Sequence, residues 1–259
     1  MKPLIQILIL IFLAAGAHSQ TLSPKVMPSC GGFATGINGK TLSWTMGEPF
    51  NTTLSSANNK LTQGFQQPEI SVYIVNIKAL IEGFYIGSGM MTAVIDPFLF
   101  PLQSDTLTLQ LARNVAPYDI QYSATTILST DGNAKFNFPI ETSGNTFYLV
   151  LKHRNALQTW SVSPVTINYN MKYDFTISTS QAYGSNLKNL GDGRFALFSG
   201  DVNQDESIGS SDYSAVENAS QNFLSGYLHE DLTGDNIVES ADYSLIENNN
   251  QLFIIASHP

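Results

Sequence analysis

A mainly β chain closed by a small α-helical unit is the architecture the sequence predicts, and three observations carry it. From Val72 to about Ser180, short apolar segments alternate with clusters of Gly, Pro, Asp and Asn. From Gly200 onward, a stretch with oxygen-bearing side chains at alternate positions is followed by a helical pattern, and the unit then repeats. The chain of 259 residues is 43% hydrophobic, enough to bury a core, so disorder throughout is excluded.

The first element is residues 1–19, a single Lys2, an apolar run from Leu4 to Leu13, then small residues. The run is too short to span a bilayer as a mature helix and reads as a cleaved secretory signal, with Ala17 and Ser19 at signal-peptidase spacing and Gln20 the new first residue. No later run is long and apolar enough for a membrane helix, so a secreted, extracellular or cell-surface location is expected without a membrane span in the mature chain. The single cysteine, Cys30, cannot form an internal disulfide and is read as a packing residue.

Residues 20–70 read as an N-terminal β-hairpin segment. In TLSWTMGEPF, Leu42, Trp44 and Met46 share one strand face and Thr41, Ser43 and Thr45 the other, with NTTLSSANN as the turn before KLTQGFQQP. Residues 71–199 read as an antiparallel β-sandwich. VYIVNIKALIEGFYI, DTLTLQLA, TTILST, NTFYLVLKH, TWSVSPVTIN and YDFTIST are its predicted strands, separated by turn signals such as DGN at Asp131.

Residues 200–259 repeat at a spacing of thirty. DVNQDESIGSSDYSAVEN from Asp201 aligns without a gap on DLTGDNIVESADYSLIEN from Asp231. In a twelve-residue calcium loop, side-chain oxygens come from positions one, three and five, a carbonyl from seven, often a water at nine, and a bidentate carboxylate from twelve. The first copy supplies Asp201, Asn203, Asp205, the carbonyl of Ser207 and Asp212. The second supplies Asp231, Thr233, Asp235, the carbonyl of Ile237, Glu239 at position nine, and Asp242. Two Ca2+ sites are therefore expected, the second weaker because Thr233 is neutral. Ile208 and Val238 are expected to face a small core, and Val216 with Phe223, and Ile246 with Phe253, to share a helix face.

Each unit is a loop followed by a helix, with no leading helix. This tandem pair closely resembles a type I dockerin, whose repeats read Asp-Val-Asn-Gly-Asp-Gly with Asp at position twelve. The resemblance covers about sixty residues. It departs at position six, where the family has Gly and this chain has Glu206 and Asn236. The resemblance implies a docking surface on the helices, with recognition positions ten and eleven at Ser210, Ser211, Ser240 and Ala241, two docking orientations, and a cohesin-like or other extracellular protein as partner. LSWTMGEPF with LTQGFQQP, then EGFY, VLKHRNALQTWS, YDFT and GDVNQD in order, is similar to a group of secreted Bacteroidota-type proteins of unassigned activity, in which a β-rich region leads into a dockerin-like end. Many of that group carry a C-terminal sorting domain, and none is read here before Pro259.

Charge and motif content narrow the function. A formal charge of -9 with twelve basic residues makes no phosphate-binding patch, so nucleic acid is not an expected partner. His18, His153, His229 and His258 show no metal-ligand spacing, and no nucleophile elbow or phosphate loop occurs. His153 is expected to be a partly exposed residue at a strand end. Glu82, Asp96, Asp105, Asp119 and Glu141 are the carboxylates a glycoside hydrolase would need about 5 to 9.5 Å apart, and most are expected in turns. The leading expectation is a secreted non-enzymatic protein docking through its calcium unit in an extracellular, polysaccharide-degrading type of assembly. The alternative is a carbohydrate-binding module or glycoside hydrolase accessory, with the calcium unit as a structural cap. Trp44, Trp160, Tyr148 and Tyr173 are its candidate sugar-stacking residues, and an aromatic on an alternating strand is more often core.

Overall fold

The computed structural model describes residues 72–259 and the strands at 30–35, 41–46, 53–55 and 60–62. The predicted signal at 1–19 and the side chains of Cys30 and Trp44 lie outside the described residues. The chain divides into two units, Met1–Ile70 and Ser71–Pro259.

In the first unit, β1 (Cys30–Thr35) pairs antiparallel with β2 (Thr41–Met46). A second hairpin joins β3 (Thr53–Ser55) to β4 (Lys60–Thr62). The single hairpin predicted across NTTLSSANN is thus two. Thr53, Leu54 and Ser55 form a strand inside the presumed turn.

The second unit begins with β5 (Val72–Lys78) and a short hairpin of β6 (Tyr85–Gly87) and β7 (Met90–Met91). The long strands β8 (Gln103–Arg113) and β9 (Ile120–Ser129) follow, then β10 (Asn133–Pro139) and β11 (Thr146–His153). After them come β12 (Ala156–Trp160), β13 (Val165–Thr166) and β14 (Met171–Asp174). One sheet has the order β10-β5-β14; the other runs β12-β11-β8-β9, with β13 on β11. Their inward side chains form one core, in which Val75 and Ile77 of β5 and Phe136 and Phe138 of β10 join Leu107, Leu109 and Leu111 of β8 and Leu149 and Leu151 of β11. Period-two alternation produces this: in NAKFNFP, Ala134, Phe136 and Phe138 are buried and the residues between them exposed.

Four details differ from the expected antiparallel set. VYIVNIKALIEGFYI is not one strand: β5 ends at Lys78, and a 3-10 turn over Glu82–Phe84 precedes β6. Strand β10 is absent from the predicted strands although it alternates cleanly. Strand β14 pairs parallel with β5, because the chain crosses from the five-stranded sheet before entering the other. TWSVSPVTIN is broken after Trp160, where Pro164 offers no N–H to a ladder and Ser161 Oγ donates to the Ser163 carbonyl instead.

The chain closes with β15 (Lys188–Asn189), β16 (Phe195–Ala196), α1 (Ser210–Gln221) and α2 (Ser240–Asn250). Val202, Ile208, Val216, Leu232, Val238 and Ile246 form a second core that takes in Leu157 of β12. Phe223 and Phe253 do not belong to it. The helices end at Gln221 and Asn250, both phenylalanines have a left-handed backbone (φ 53° and 52°), and their side chains are 88% and 85% exposed. Among the described residues no helix is long and apolar enough to cross a membrane.

Candidate metal centre

The thirty-residue repeat is also a repeat of backbone. Positions four and six of each loop are left-handed: Gln204 and Glu206 at φ 60° and 71°, Gly234 and Asn236 at 75° and 69°. Glu206 holds this conformation at a cost of roughly 1 kcal/mol that glycine would not incur. The loops also exchange partners. Ile208 N–H donates to the Ile254 carbonyl and Ala256 N–H to the Glu206 carbonyl, while Val238 N–H donates to the Leu224 carbonyl and Gly226 N–H to the Asn236 carbonyl. Each loop is therefore paired with the segment that follows the other repeat's helix, and neither closes alone.

Asp212 and Asp242, both 0% exposed, fold back over their loops. Asp212 Oδ1 accepts from Val202 N (2.9 Å) and Asn203 N (3.1 Å), and its Oδ2 accepts from Gly209 N (3.0 Å). Asp242 repeats this with Leu232 N (2.7 Å), Thr233 N (2.8 Å) and Glu239 N (2.9 Å). Asp201 and Asp231 are buried at position one. Asp205 and Asp235 are exposed, each accepting from the N–H two residues on. Asn203 is exposed and bonds Asp205 and Ser211, whereas Thr233 directs its hydroxyl to Asp242 (3.0 Å). Glu239 and Ile237 are exposed and Ser207 half-buried.

The electrostatics of the loops favour a cation. Burial first, then the neighbouring Asp212 and Asp205 carboxylates, push the Asp201 carboxyl up to about 7. Burial also raises Asp231, against the opposing N–H groups of Gly234 and Asn236. Among the described residues the ion pairs are His153–Asp105, Arg154–Asp105 and Lys188–Glu82, so no basic side chain pairs with either loop. Buried carboxylates of one sign without a counter-ion are costly, and a hard divalent ion with oxygen ligands removes that cost. The donor set fits calcium in kind. Among the described residues no group of three His, Cys, Asp or Glu side chains stands in a metal-holding arrangement, so the carboxylates of each loop are not gathered about one point.

The predicted recognition residues Ser210, Ser211, Ser240 and Ala241 are all exposed at the helix starts. Tyr213 and Tyr243 are half-buried and pack on each other, ring centres 4.9 Å apart.

Sequence reasoning missed the residues that seat this unit on the sandwich. Asn155 Nδ2 donates to the Asp231 carbonyl (2.8 Å), and Arg154, stacked 4.3 Å over the Tyr227 ring, donates to the Leu228 carbonyl. Below them, Asp105 accepts from Arg154 Nε (2.9 Å) and from the Tyr227 hydroxyl, and His153 Nε2 lies 3.1 Å away. His153 is buried, not partly exposed, and Asp105 sits on β8, not in a turn. Burial holds the His153 ring below its ordinary range, outweighing Asp105. Burial alone would raise Asp105; His153, Tyr227 and Arg154 reverse this and hold it well below the carboxylate range. A second set joins Glu82 to Lys188 Nζ (2.6 Å), Asn249 Nδ2 (2.6 Å) and Ser199 N (3.1 Å). The only sequence hint was the polar run His153-Arg154-Asn155 at the turn from β11 to β12, since the partners lie far off in the chain.

No protein-family model matches the chain, and no curated protein matches it. Four chains of solved structures match. One belongs to the crystal structure of an N-terminal interface mutant of a type II cohesin–X-dockerin complex from Acetivibrio cellulolyticus; it is 13% identical, with a TM-score of 0.41, over 68% of this chain and 94% of that chain. A likeness of that size does not establish a shared fold.

Proposed function

We propose that residues 200–259 are a dockerin-like module that binds two calcium ions, and that the chain is a secreted, non-enzymatic protein docking through it onto a cohesin-like or other extracellular protein. The observation that carries this reading is the pair of superposable loops, each with buried carboxylates at positions one and twelve and no basic side chain to balance them. Asp201, Asn203, Asp205, the Ser207 carbonyl and Asp212 would hold the first ion. Asp231, Thr233, Asp235, the Ile237 carbonyl, Glu239 and Asp242 would hold the second. The ion supplies positive charge; the chain supplies the fixed oxygens and the cross-paired segments, so filling one loop steadies the frame of the other. Exposed Ser210, Ser211, Ser240 and Ala241 leave the helix starts free for a protein partner.

The test is calorimetric calcium titration of residues 20–259 beside Asp201→Ala and Asp231→Ala variants. Two binding events, each lost in one variant, are expected. No calcium heat in the parent chain overturns the reading.

A further inference from the structure

The outward face of the five-stranded sheet carries a groove of about 590 Å³, a size in the range of small-molecule sites. Register builds its floor. Val150 of β11 stands opposite Trp160 of β12 on one side and Gln110 of β8 on the other. Tyr148 and Lys152 share the Val150 face, and Gln158 shares the Trp160 face. Tyr118 and Tyr183, from loops, close on Tyr148 at 5.9 and 6.4 Å, and Trp160 lies 5.9 Å from the same ring. Of the four aromatics that the sequence offered for sugar stacking, Trp160 lines the groove and Tyr148 packs against it. Tyr173 is elsewhere, packed on Phe175 with its hydroxyl given to the Gln181 carbonyl.

The polar groups of this groove are idle. Gln158 is only 7% exposed, lines the groove, and makes no side-chain hydrogen bond among the described residues. Trp160, also 7% exposed, has a buried indole N–H without an acceptor. Gln110, Lys152 and Glu206 line the same space with no side-chain partner among the described residues. By contrast, Asp105, Glu82 and Asn249 are bonded on several sides. Of these groups only the Trp160 N–H is fully enclosed without a partner among the described residues; such a group costs about 1–3 kcal/mol, and a bound ligand is one way the missing partner is supplied.

The chemistry selects the ligand. Two carboxamides offer donors and acceptors together, the single Lys152 stands among two carboxylates, Asp119 and Glu206, and Tyr118 contributes a half-exposed ring. An anionic ligand is repelled by the net negative lining, a cationic one is opposed by Lys152, and a purely apolar one leaves the amides unpaired. We propose that this groove binds a neutral oligosaccharide, with Gln110 and Gln158 bonding its hydroxyls and Tyr118 lying against its C–H face. Trp160, mostly covered, serves as the wall and as a donor.

The test uses residues 20–259 and neutral glucan, xylan, mannan and chitin oligosaccharides, followed by calorimetry and by the indole N–H resonances. Only two tryptophans occur, so a Trp44→Phe variant assigns the Trp160 signal. One saccharide class should saturate, shift that signal, and bind at least tenfold more weakly to Gln158→Leu and Gln110→Ala chains with parental circular dichroism. If Gln158→Leu does not fold, Gln110→Ala and Lys152→Ala carry the test, since both positions are half-buried. The proposal falls if no member of the panel moves the Trp160 signal, or if binding is unchanged in the folded variants.

Discussion

Asp201 and Asp231 occupy the same place in two copies of one loop, yet they are held by different means. Asp231 receives N–H groups from Gly234 (2.8 Å) and Asn236 (3.0 Å), and its carbonyl is gripped by Asn155 of the sandwich. Asp201 receives the Asp205 N–H (3.1 Å) and faces two other carboxylates. The sandwich reaches the first loop mainly through Gln204, whose amide bonds the Asp201 carbonyl (2.6 Å) and approaches the Ala156 carbonyl (3.4 Å). Duplicated loops therefore need not share a dependence on metal. The second loop is held by more protein contacts, and the first gathers more negative charge, which a proton or a cation would relieve.

The largest expected effect breaks the seat under the second loop. Arg154→Met leaves the buried Asp105 without its guanidinium partner and frees the Leu228 carbonyl, so unfolding in chelator should lose about 3–5 kcal/mol. Denaturant melts of residues 20–259 measure this, and a loss below 1 kcal/mol would deny the seat its importance. Gly83→Ala is next. A Cβ at Gly83 would run into the Leu232 carbonyl and the Leu245 side chain, and the clash should cost about 2 kcal/mol while weakening the second calcium event more than the first.

Acid should act on the same seat. His153 is held neutral in the fold, so its contribution is full above the ordinary histidine pKa of about 6.5 and is lost as pH falls below it. Asp105 is depressed, so its contribution is present above about pH 4 and is lost on further acidification. Each proton taken up only by the unfolded chain costs about 1.4 kcal/mol per pH unit, and His153→Gln should remove the upper of the two declines. The smallest effect is the sharpest on the comparison. In chelator, Asp201→Asn relieves burial and the repulsion of two carboxylates and should raise stability by about 1 kcal/mol, whereas at Asp231 the lost N–H contacts of Gly234 and Asn236 offset the same relief and the gain from Asp231→Asn should be smaller. Equal gains for the two would mean that the loops are equivalent after all.

What could be read from the sequence was what neighbouring residues encode. Alternation announced most strands, and the gapless match of Asp201–Asn218 to Asp231–Asn248 announced the duplicated loops. Strand β10 was equally patterned and went unrecognised after the Asp131 turn. The fate of Phe223 and Phe253 was hidden because helical spacing cannot show that each helix stops two or three residues earlier. Pairings across long separations were beyond it: nothing local links His153 to Asp105, or Asn249 to Glu82. The groove was half legible. Tyr148 and Trp160 stood out as aromatics, but Gln158 gains meaning only from burial beside them without a partner.

The close approach of Gly83 to the second loop has a consequence for how such a module travels between proteins. A docking unit joined by a linker can be moved from one carrier to another without altering either. Here the carrier's own backbone is part of the surface on which the unit rests, and any residue larger than glycine at that point would push it off. Residues 200–259 moved onto another carrier would leave behind the part of their foundation that Gly83 and Asn155 supply, and should fold less stably there.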